Sequence, residues 1–421
     1  MKHPKQNTRK LFWASAAAIG GLFLGTMAAQ AECGIDTAGS IRILSNDFEA
    51  LRVVNDAAKS CATDKITITA NATAEHKNIQ SPALTANPAE YTVAVVANNS
   101  IVPLMNDGLI QPLDELVAKY GQSLQPNQLI KIDGKVMAIA FMGNGQHLFY
   151  RKDILEKAGV KIPTSYEEMM ATAQIIKDKG LMDYPLAAAD KPGWDLAAEF
   201  VNMYLGTGAD FFAPGSAELA IDNDNGRKVL ETMQGMTKFM NPDYLTYDAN
   251  ELNKVWDAGK VAMMNQWGSL AGAVIDPKTA NAEIAGVTSF SAAPAIGGGT
   301  IPAAALWWDG FTIAKNITPE DAAASFQAMV YASSPDVVLK HPDAATWLVA
   351  GYKPGPAAVG VLANANGGAK PYPMQPYMGL LHTALSAELA DFIAGKEDAK
   401  QALADVKSAY DVAAKAGGFL K

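Results

Sequence analysis

The sequence predicts an α/β protein made of two doubly wound lobes that hinge crossovers join. Predicted strands and helices alternate from Ile41 to Met105, which is typical of a sheet with helices on its faces. Farther along, the stretch from Ile132 to Asp153 runs through apolar residues, breaks at Gly143 and Gly145, and resumes as a short strand. Glycines ease the backbone changes of a hinge, so this break is where the chain would leave one sheet and enter another. A sharply bulged strand within one sheet would give the same pattern, and that alternative stays open.

Residues 1–31 have the pattern of a cleaved secretory signal. An apolar run from Leu11 to Gly25 leads to the small residues Ala29-Gln30-Ala31, and it follows a basic start that contains Lys2, Lys5, Arg9 and Lys10. An uncleaved membrane anchor is the alternative, since the stretch from Leu11 to Ala29 is just long enough to span a bilayer. Lipid attachment at Cys33 is excluded because a lipidated cysteine must be the first residue after the cleavage site, and here that residue is Glu32. No later apolar run is long enough to cross a membrane.

Cys33 and Cys61 are the two cysteines of the 421-residue chain. In an oxidising compartment, two cysteines close in sequence most simply form one disulfide, here between the first strand and the end of the first helix. Metal binding by two lone thiols is the alternative. The rest of the chain is long enough to form two domains with cores of their own.

Charge limits the classes of partner. The chain has a formal net charge of −9, and the predicted signal is basic, so the exported part is more acidic still. Nucleic acids and anionic membrane surfaces are therefore excluded as partners. Arginine is scarce after residue 31, where only Arg42, Arg52, Arg151 and Arg227 occur. A phosphate or carboxylate clamp has few donors to use, so a neutral ligand is favoured.

Polar residues follow the predicted strands of the first lobe, where ligands of doubly wound sheets bind. They are Asn46, Asp47, His76 and Asn99. Asn and Asp are also common as helix caps and turn formers, so each residue alone has a structural alternative.

Aromatic and amide side chains recur at later strand ends or turns. They are Asn144 and Gln146 at the predicted crossover, Trp194 on a turn, Gln266 and Trp267 after a strand, and Trp307, Trp308 and Asp309 on the return strand. A pyranose has apolar faces that stack on indole rings and a rim of hydroxyls that pair with amides and carboxylates. The pattern therefore predicts a carbohydrate site, although packing under a loop would also explain Trp194.

Two blocks of the sequence resemble a known family. The first is Gly134 to Ala140 together with Tyr150 to Gly159 and Pro163 to Glu168, and the second is Trp256 to Met264. They are similar to blocks of the extracellular solute-binding proteins of ABC importers, in the carbohydrate-binding group that resembles maltodextrin-binding proteins. The resemblance implies a type II periplasmic binding protein-like fold, a ligand in the cleft between the lobes, and a transient ABC permease partner.

The resemblance also assigns limits and contacts. The first lobe would contain residues 32–143 and about 303–345, and the second would contain residues 144–302 and about 346–421. Carried over by position, Asn144, Gln146, Trp194, Gln266, Trp267, Trp308 and Asp309 would contact the ligand, with Trp307 as an alternate. The family's usual basic residue near the last crossing is represented only by Lys353, beside Tyr352. The first strand is followed by Asn46-Asp47-Phe48 where the family often has aromatic residues, so the identity and size of the sugar stay open.

Two other classes compete with a sugar-binding protein. An exported glycoside hydrolase would need a pair of carboxylates across a cleft, and a binding protein for an amino acid or polyamine would need a charged pocket. The sequence has no Gly-x-Ser-x-Gly or His-Glu-x-x-His motif, and we interpret His147 as a hydrogen-bonded structural histidine. We expect a monomeric periplasmic binding protein, not an enzyme, without a cofactor or metal.

Overall fold

The computed structural model describes residues 33–421, so the predicted signal peptide of residues 1–31 lies outside the described residues. The described part contains two β-sheets, one in each lobe. The strands are β1 Gly39–Ser45, β2 Ile66–Ala72, β3 Val93–Ala97, β4 Leu129–Ile132, β5 Lys135–Asn144, β6 Gln146–Arg151, β7 Leu186–Ala187, β8 Met263–Trp267, β9 Thr288–Ser291, β10 Trp307–Ile313 and β11 Thr346–Trp347.

Helices pack on both sheets. They are α1 Glu49–Lys59, α2 His76–Thr85, α3 Asn98–Asn106, α4 Asp114–Tyr120, α5 Lys152–Ala158, α6 Tyr166–Asp178, α7 Trp194–Gly206, α8 Asp224–Thr237, α9 Ala249–Asp257, α10 Ala282–Val287, α11 Pro319–Ala332, α12 Pro335–Val338, α13 Val359–Asn366, α14 Met378–Ile393 and α15 Ala399–Ala416. The α/β fold class predicted from the sequence is confirmed. No helix in the described range is long and apolar enough to cross a membrane.

The first sheet has seven strands in the order β11-β5-β10-β3-β1-β2, with β4 paired to β5. Strands β1, β2 and β3 are parallel, as the alternation of strands and helices predicts, while β10 runs antiparallel between β3 and β5. Each parallel strand leads into a helix, so the residues that follow β1, β2 and β3 meet at one edge of the sheet. This edge faces the second lobe.

The second sheet has four strands in the order β7-β8-β6-β9. Strand β6 pairs antiparallel with β8 and β9, and the short β7 pairs parallel with β8. Helix α7 starts at Trp194, so the expectation that this tryptophan lies on a turn before the helix is wrong. The preceding Gly193 has φ +118°, a left-handed conformation that glycine adopts without strain, and it lets the helix begin there.

The chain passes from the first sheet to the second at Gly145, the single residue between β5 and β6. It returns before β10 and passes over again after β11. A Cβ atom at Gly145 would lie 3.1 Å from the carbonyl oxygen of Ala305, so the first two crossing segments run close together. Strand β11, Thr346–Trp347, pairs with β5 in the first sheet, and Asn144 is the last residue of β5, whereas the limits expected from the sequence put these residues in the second lobe. The lobe limits remain a proposal.

Each lobe has its own apolar core. In the first lobe, α1 and α11 pack on the sheet through buried residues that include Leu51, Val54 and Phe326. In the second lobe, helices α7, α8, α14 and α15 form the largest cluster, with Phe200, Leu230 and Leu385 in it. The predicted disulfide is confirmed: Cys33 and Cys61 are bonded, which ties the chain before β1 to the end of α1.

Candidate ligand-binding cleft

A cavity of about 560 Å³ lies between the lobes, at the edge of the first sheet where β1, β2 and β3 end. The first lobe contributes residues that follow β1, the start of α2, the end of β3, and residues of β5 and β10. The second lobe contributes the start of α7, the start of α9 and the residues that follow β8. Its volume is in the range of small-molecule sites, and residues of both lobes would contact one ligand there.

Three tryptophans form an aromatic group on one side of the cavity. The ring centroids of Trp194, Trp267 and Trp307 are 5.8 to 6.0 Å apart. Tyr372 packs on Trp307 at 4.2 Å, and His382 stacks on Trp194 at 4.9 Å. His382 also lies within hydrogen-bond distance of the Tyr372 hydroxyl and of the Trp194 carbonyl oxygen, which holds the group rigid. The cavity therefore offers indole surfaces whose positions are fixed by packing.

Polar side chains lie across from these rings. Asn46 accepts a hydrogen bond from the amide of Asp47, and Asp47 pairs with Arg52 at 2.6 Å. His76 is buried at the start of α2, and its Nδ1 makes no hydrogen bond within the described residues. Burial, with a smaller effect of Lys77, lowers the pKa of His76 to about 4, so the ring is neutral at pH 7. Asn99 also has a free side-chain oxygen within the part of the chain described.

The cavity is rich in carboxylates. Its lining includes five acidic residues, Asp47, Glu75, Asp195, Asp248 and Asp309, and one lysine, Lys77. Burial raises the pKa of Asp309 to about 7 and that of Asp195 to about 6, and Lys77 opposes the shift in both. Carboxyl groups in this range can accept hydrogen bonds when ionised and donate one when protonated, which suits a ligand that carries hydroxyl groups.

Asn144 connects the lobes at the cavity wall. It is the last residue of β5, and its Oδ1 accepts hydrogen bonds from the amides of Gly145 and Ser269. Its Nδ2 donates to the hydroxyl of Ser269 at 3.1 Å. The first crossing segment is thus bonded to the turn that follows β8.

A sequence profile of the family described as "Bacterial extracellular solute-binding protein" matches residues 52–350. The chain belongs to this family. The resemblance inferred from the two sequence blocks is therefore confirmed, and the family consists of binding proteins rather than enzymes.

Curated relatives of this solute-binding protein match over part of their length. A probable sugar-binding periplasmic protein of Rhizobium meliloti (strain 1021) is 25% identical over 238 residues, which cover 53% of this chain and 55% of the relative. A probable ABC transporter-binding protein of Deinococcus radiodurans is 26% identical over 221 residues, or 50% of each chain. The chain thus spans about half the length of the curated relatives it matches.

Solved structures match over most of the chain. A solute-binding protein of Agrobacterium radiobacter K84 in complex with ribitol has a TM-score of 0.75 and 19% identity, covering 89% of this chain and 98% of that one. A protein of Agrobacterium vitis S4 with bound D-mannitol has a TM-score of 0.74 and 21% identity, covering 91% and 100%. The maltose-bound MalE3 of T. maritima has a TM-score of 0.73 and 16% identity, covering 89% and 100%. These similarities confirm the fold.

Nine of the residues predicted from the sequence line the cavity of this solute-binding protein. They are Asn46, Asp47, His76, Asn99, Asn144, Trp194, Trp267, Trp307 and Asp309. Their positions come from elements far apart in sequence, which the topology of the two sheets brings to one place.

The structure does not place five predicted residues in the cavity lining. Strand alternation accounts for Trp308 and Gln266, because successive side chains of a strand point to opposite faces. On β10, Trp307 and Asp309 line the cavity while Trp308 packs into an apolar cluster. On β8, Trp267 lines the cavity and Gln266 does not. The Gln266 side chain instead donates to Ala249 and Asn253. Gln146 is buried and donates to Glu199 at 2.8 Å. The Tyr352 hydroxyl donates hydrogen bonds to the carbonyl oxygens of Pro342 and Ala345. Neither Tyr352 nor Lys353 lines the cavity.

Sequence reasoning missed several lining residues, among them Lys77, Asp195, Asp248, Asn250 and Ser269. Most of them lie within a residue or two of the start of a helix that faces the cleft: α2, α7 or α9. Ser269 lies in the turn after β8. Their position at a predicted helix start after a strand or turn could have indicated them. Their residue types alone could not, because the same types are common on the protein surface.

A polar cluster lies behind the first crossing segment, outside the cavity lining. It contains Gln146, Glu199 and Asp190, all at most 2% exposed. Burial, together with the charge of Asp190, raises the pKa of Glu199 to about 8, and burial raises the pKa of Asp190 to about 7. Both carboxyl groups therefore hold protons far above their ordinary pKa range.

His147 follows Gln146 and is fully buried. It stacks on Phe149 at 4.8 Å, and its ring nitrogens make no hydrogen bond within the described residues. Burial lowers its pKa to about 4. The residue is structural, as predicted, but ring packing holds it rather than the polar partners we expected.

Proposed function

We propose that this protein is the periplasmic solute-binding component of an ABC importer, and that it captures a neutral sugar, polyol or small oligosaccharide between its lobes. The observation that carries the proposal is the cavity itself, in which three tryptophans face amide and carboxyl side chains. Indole rings stack on the apolar faces of a sugar, while Asn, Asp and protonated carboxyl groups pair with its hydroxyls.

Several further findings support this proposal. The chain belongs to a family of extracellular solute-binding proteins. Three curated relatives are described as probable sugar-binding periplasmic proteins, and solved structures of similar fold hold ribitol, mannitol or maltose. The nine predicted residues that line the cavity are proposed to form the ligand-binding site. The loaded protein would then close and contact permease subunits transiently, as a monomer, after its signal peptide is removed.

A binding protein for a polyamine is the second candidate, because five acidic residues and one lysine line the cavity. Two of those acids are already paired: Asp47 with Arg52, and Asp248 with Lys191. Within the described part of the chain, only three of the five acidic residues are therefore left without such a partner to balance a cationic ligand, which favours a neutral ligand.

A thermal-shift screen of residues 32–421 tests the proposal. The panel contains mono- and oligosaccharides, sugar alcohols, amino acids and polyamines. We expect one carbohydrate class to raise the melting temperature, and the rise to grow with ligand concentration because the ligand binds only the folded state. A response to an amino acid or polyamine, with none to any carbohydrate, would overturn the sugar assignment.

A further inference from the structure

Lys77 lies at the first turn of α2 and points into the cleft. Its ammonium nitrogen is 4.5 Å from the ring centroid of Trp194, on the opposite lobe. His382 stacks on the same indole at 4.9 Å, so Trp194 is packed by a ring and by a cation at once. The aromatic surface that a solute would meet at Trp194 is therefore covered by a side chain of the protein itself.

Two carboxyl groups line the same cavity as this ammonium group, each more than 4 Å from its nitrogen. Asp195 follows Trp194 at the start of α7, and Asp309 lies on β10 of the first lobe; both line the cavity. Desolvation lowers the pKa of Lys77, and the charges of Asp309 and Asp195 oppose this shift in part. Neither acid forms an ion pair of 4 Å or less with any basic residue in the described part of the chain.

An indole face flanked by carboxylates is a recognition site for an organic ammonium group. The ring quadrupole attracts the cation, and the carboxylates compensate its charge. Lys77 brings such a cation from the first lobe to a ring on the second. A positively charged solute that enters the cleft would meet both the occupied ring and the charge of Lys77.

We propose that Trp194, Asp195 and Asp309 form an ammonium-binding site in the cleft, that Lys77 fills it, and that Lys77 thereby excludes cationic solutes. The part that concerns solute choice rests on the proposed function. The acids of the lining repel anions and Lys77 repels cations, so the pair of features selects an uncharged ligand. Lys77 is thus a residue that determines specificity by occupying a subsite.

The experiment removes the internal cation and supplies a free one. In the Lys77→Ala variant, n-propylammonium replaces the missing part of the side chain, and 1-propanol is its uncharged counterpart. Tryptophan fluorescence is titrated at constant ionic strength. We expect a saturable change with n-propylammonium in Lys77→Ala, an affinity lower by about tenfold or more in the wild type, and no saturable change with 1-propanol.

Two further variants make the test specific. In Lys77→Ala/Asp309→Asn, n-propylammonium should bind about tenfold more weakly than in Lys77→Ala, because one compensating carboxylate is gone. Lys65→Ala, which removes an exposed lysine elsewhere in the first lobe, should respond like the wild type. Lys77 lines the cleft and belongs to none of the apolar cores, so its replacement leaves the cores intact.

The proposal is overturned if Lys77→Ala shows no saturable response to n-propylammonium, or if the wild type or 1-propanol gives the same response. This titration uses no carbohydrate, so it succeeds or fails separately from the thermal-shift screen that tests the proposed function. The solute-choice part is tested on the same variants with D-glucosamine: Lys77→Ala should bind it about tenfold more tightly than the wild type does. Equal affinity for D-glucosamine in the two proteins would remove the specificity role.

Discussion

Glu199 and Asp190 are buried carboxyl groups beside the first crossing segment, and they link the stability of the protein to pH. Their pKa values are about 8 and about 7, against ordinary values of 4.5 and 3.8. In the folded protein these two groups keep protons that the unfolded chain releases, so their contribution to stability is greatest at low pH and is lost as pH rises toward 8. The buried histidines His76, His147 and His382 act in the opposite sense below pH 6.5, because burial lowers their pKa values to about 4.

Replacing Glu199 by Gln should remove part of this dependence. The amide keeps the shape and can still accept the hydrogen bond of Gln146, but it carries no charge at any pH. We expect the melting temperature of Glu199→Gln to exceed that of the wild type near pH 8 and to change less between about pH 6.5 and 8.5. Glu231→Gln, at an exposed glutamate of α8, is the control and should follow the wild-type curve. A parallel wild-type and Glu199→Gln profile would contradict the assignment.

The sequence pattern predicted some residues of the site and could not predict others. Polar residues after β1, β2 and β3 were predictable, because parallel strands bring their carboxyl ends to one edge. Trp308 was indistinguishable from Trp307 in sequence, and only the register of β10 against β3 and β5 decides which ring faces the cleft. Lys77 was not predictable, since its role depends on Trp194 of the other lobe.

At the scale of elements, the disulfide fixes the start of the first lobe. Cys33 and Cys61 are 28 residues apart in sequence, and Cys61 is buried after α1. Closing a loop of this length stabilises the folded state by about 3.5 kcal/mol, because the cross-link lowers the conformational entropy of the unfolded chain. We expect Cys33→Ser/Cys61→Ser to unfold at lower urea concentration by that free energy. The reduced wild-type chain should unfold with the double variant, and an unchanged midpoint in either would contradict this role.

Helix α13 holds the crossing segments together through Asn364. Its side-chain oxygen accepts a hydrogen bond from the amide of Ala293, and its Nδ2 donates to the carbonyl of Gln146 at 2.7 Å. The residue is fully buried, so removal of the side chain leaves two backbone groups without partners.

We therefore expect Asn364→Ala to lower the free energy of unfolding by about 2 kcal/mol or more. Asn366→Ala, at an exposed position of the same helix, is the matched control and should change stability little. Urea unfolding monitored by circular dichroism gives both values. Equal stability of the two variants would show that the Asn364 bonds do not hold the crossing in place.

Sequence patterns predicted the longer strands and did not predict the shortest ones. Strands β1 and β2 follow from alternating apolar and polar residues, and β3 follows from an apolar run. The two-residue strands β7 and β11 carry too few residues for a pattern, and they form because longer strands beside them offer free hydrogen-bonding groups. The antiparallel direction of β10 could not be predicted from local sequence, because it is set by the chain's return from the other lobe.

At the scale of the whole molecule, the two sheets are joined by crossing segments beside one cavity, so a ligand there would bond both lobes at once. Hinged lobes of this kind close around a ligand by rotation about a few residues, and Gly145 is placed to absorb such a change. Asn144 and Ser269 already join the lobes beside the cavity, which limits how far the hinge side can open.

The central claim is that a carbohydrate stacks on the tryptophans of the cleft. Isothermal titration calorimetry of residues 32–421 with the sugar found in the screen tests it, using Trp267→Ala, Trp307→Ala and, as control, Trp308→Ala. Trp267 and Trp307 line the cavity, whereas the neighbouring Trp308 does not. We expect each of the first two variants to lose about 1–3 kcal/mol of binding free energy and Trp308→Ala to bind like the wild type. Unchanged affinity in Trp267→Ala and Trp307→Ala, or an equal loss in Trp308→Ala, would contradict the account.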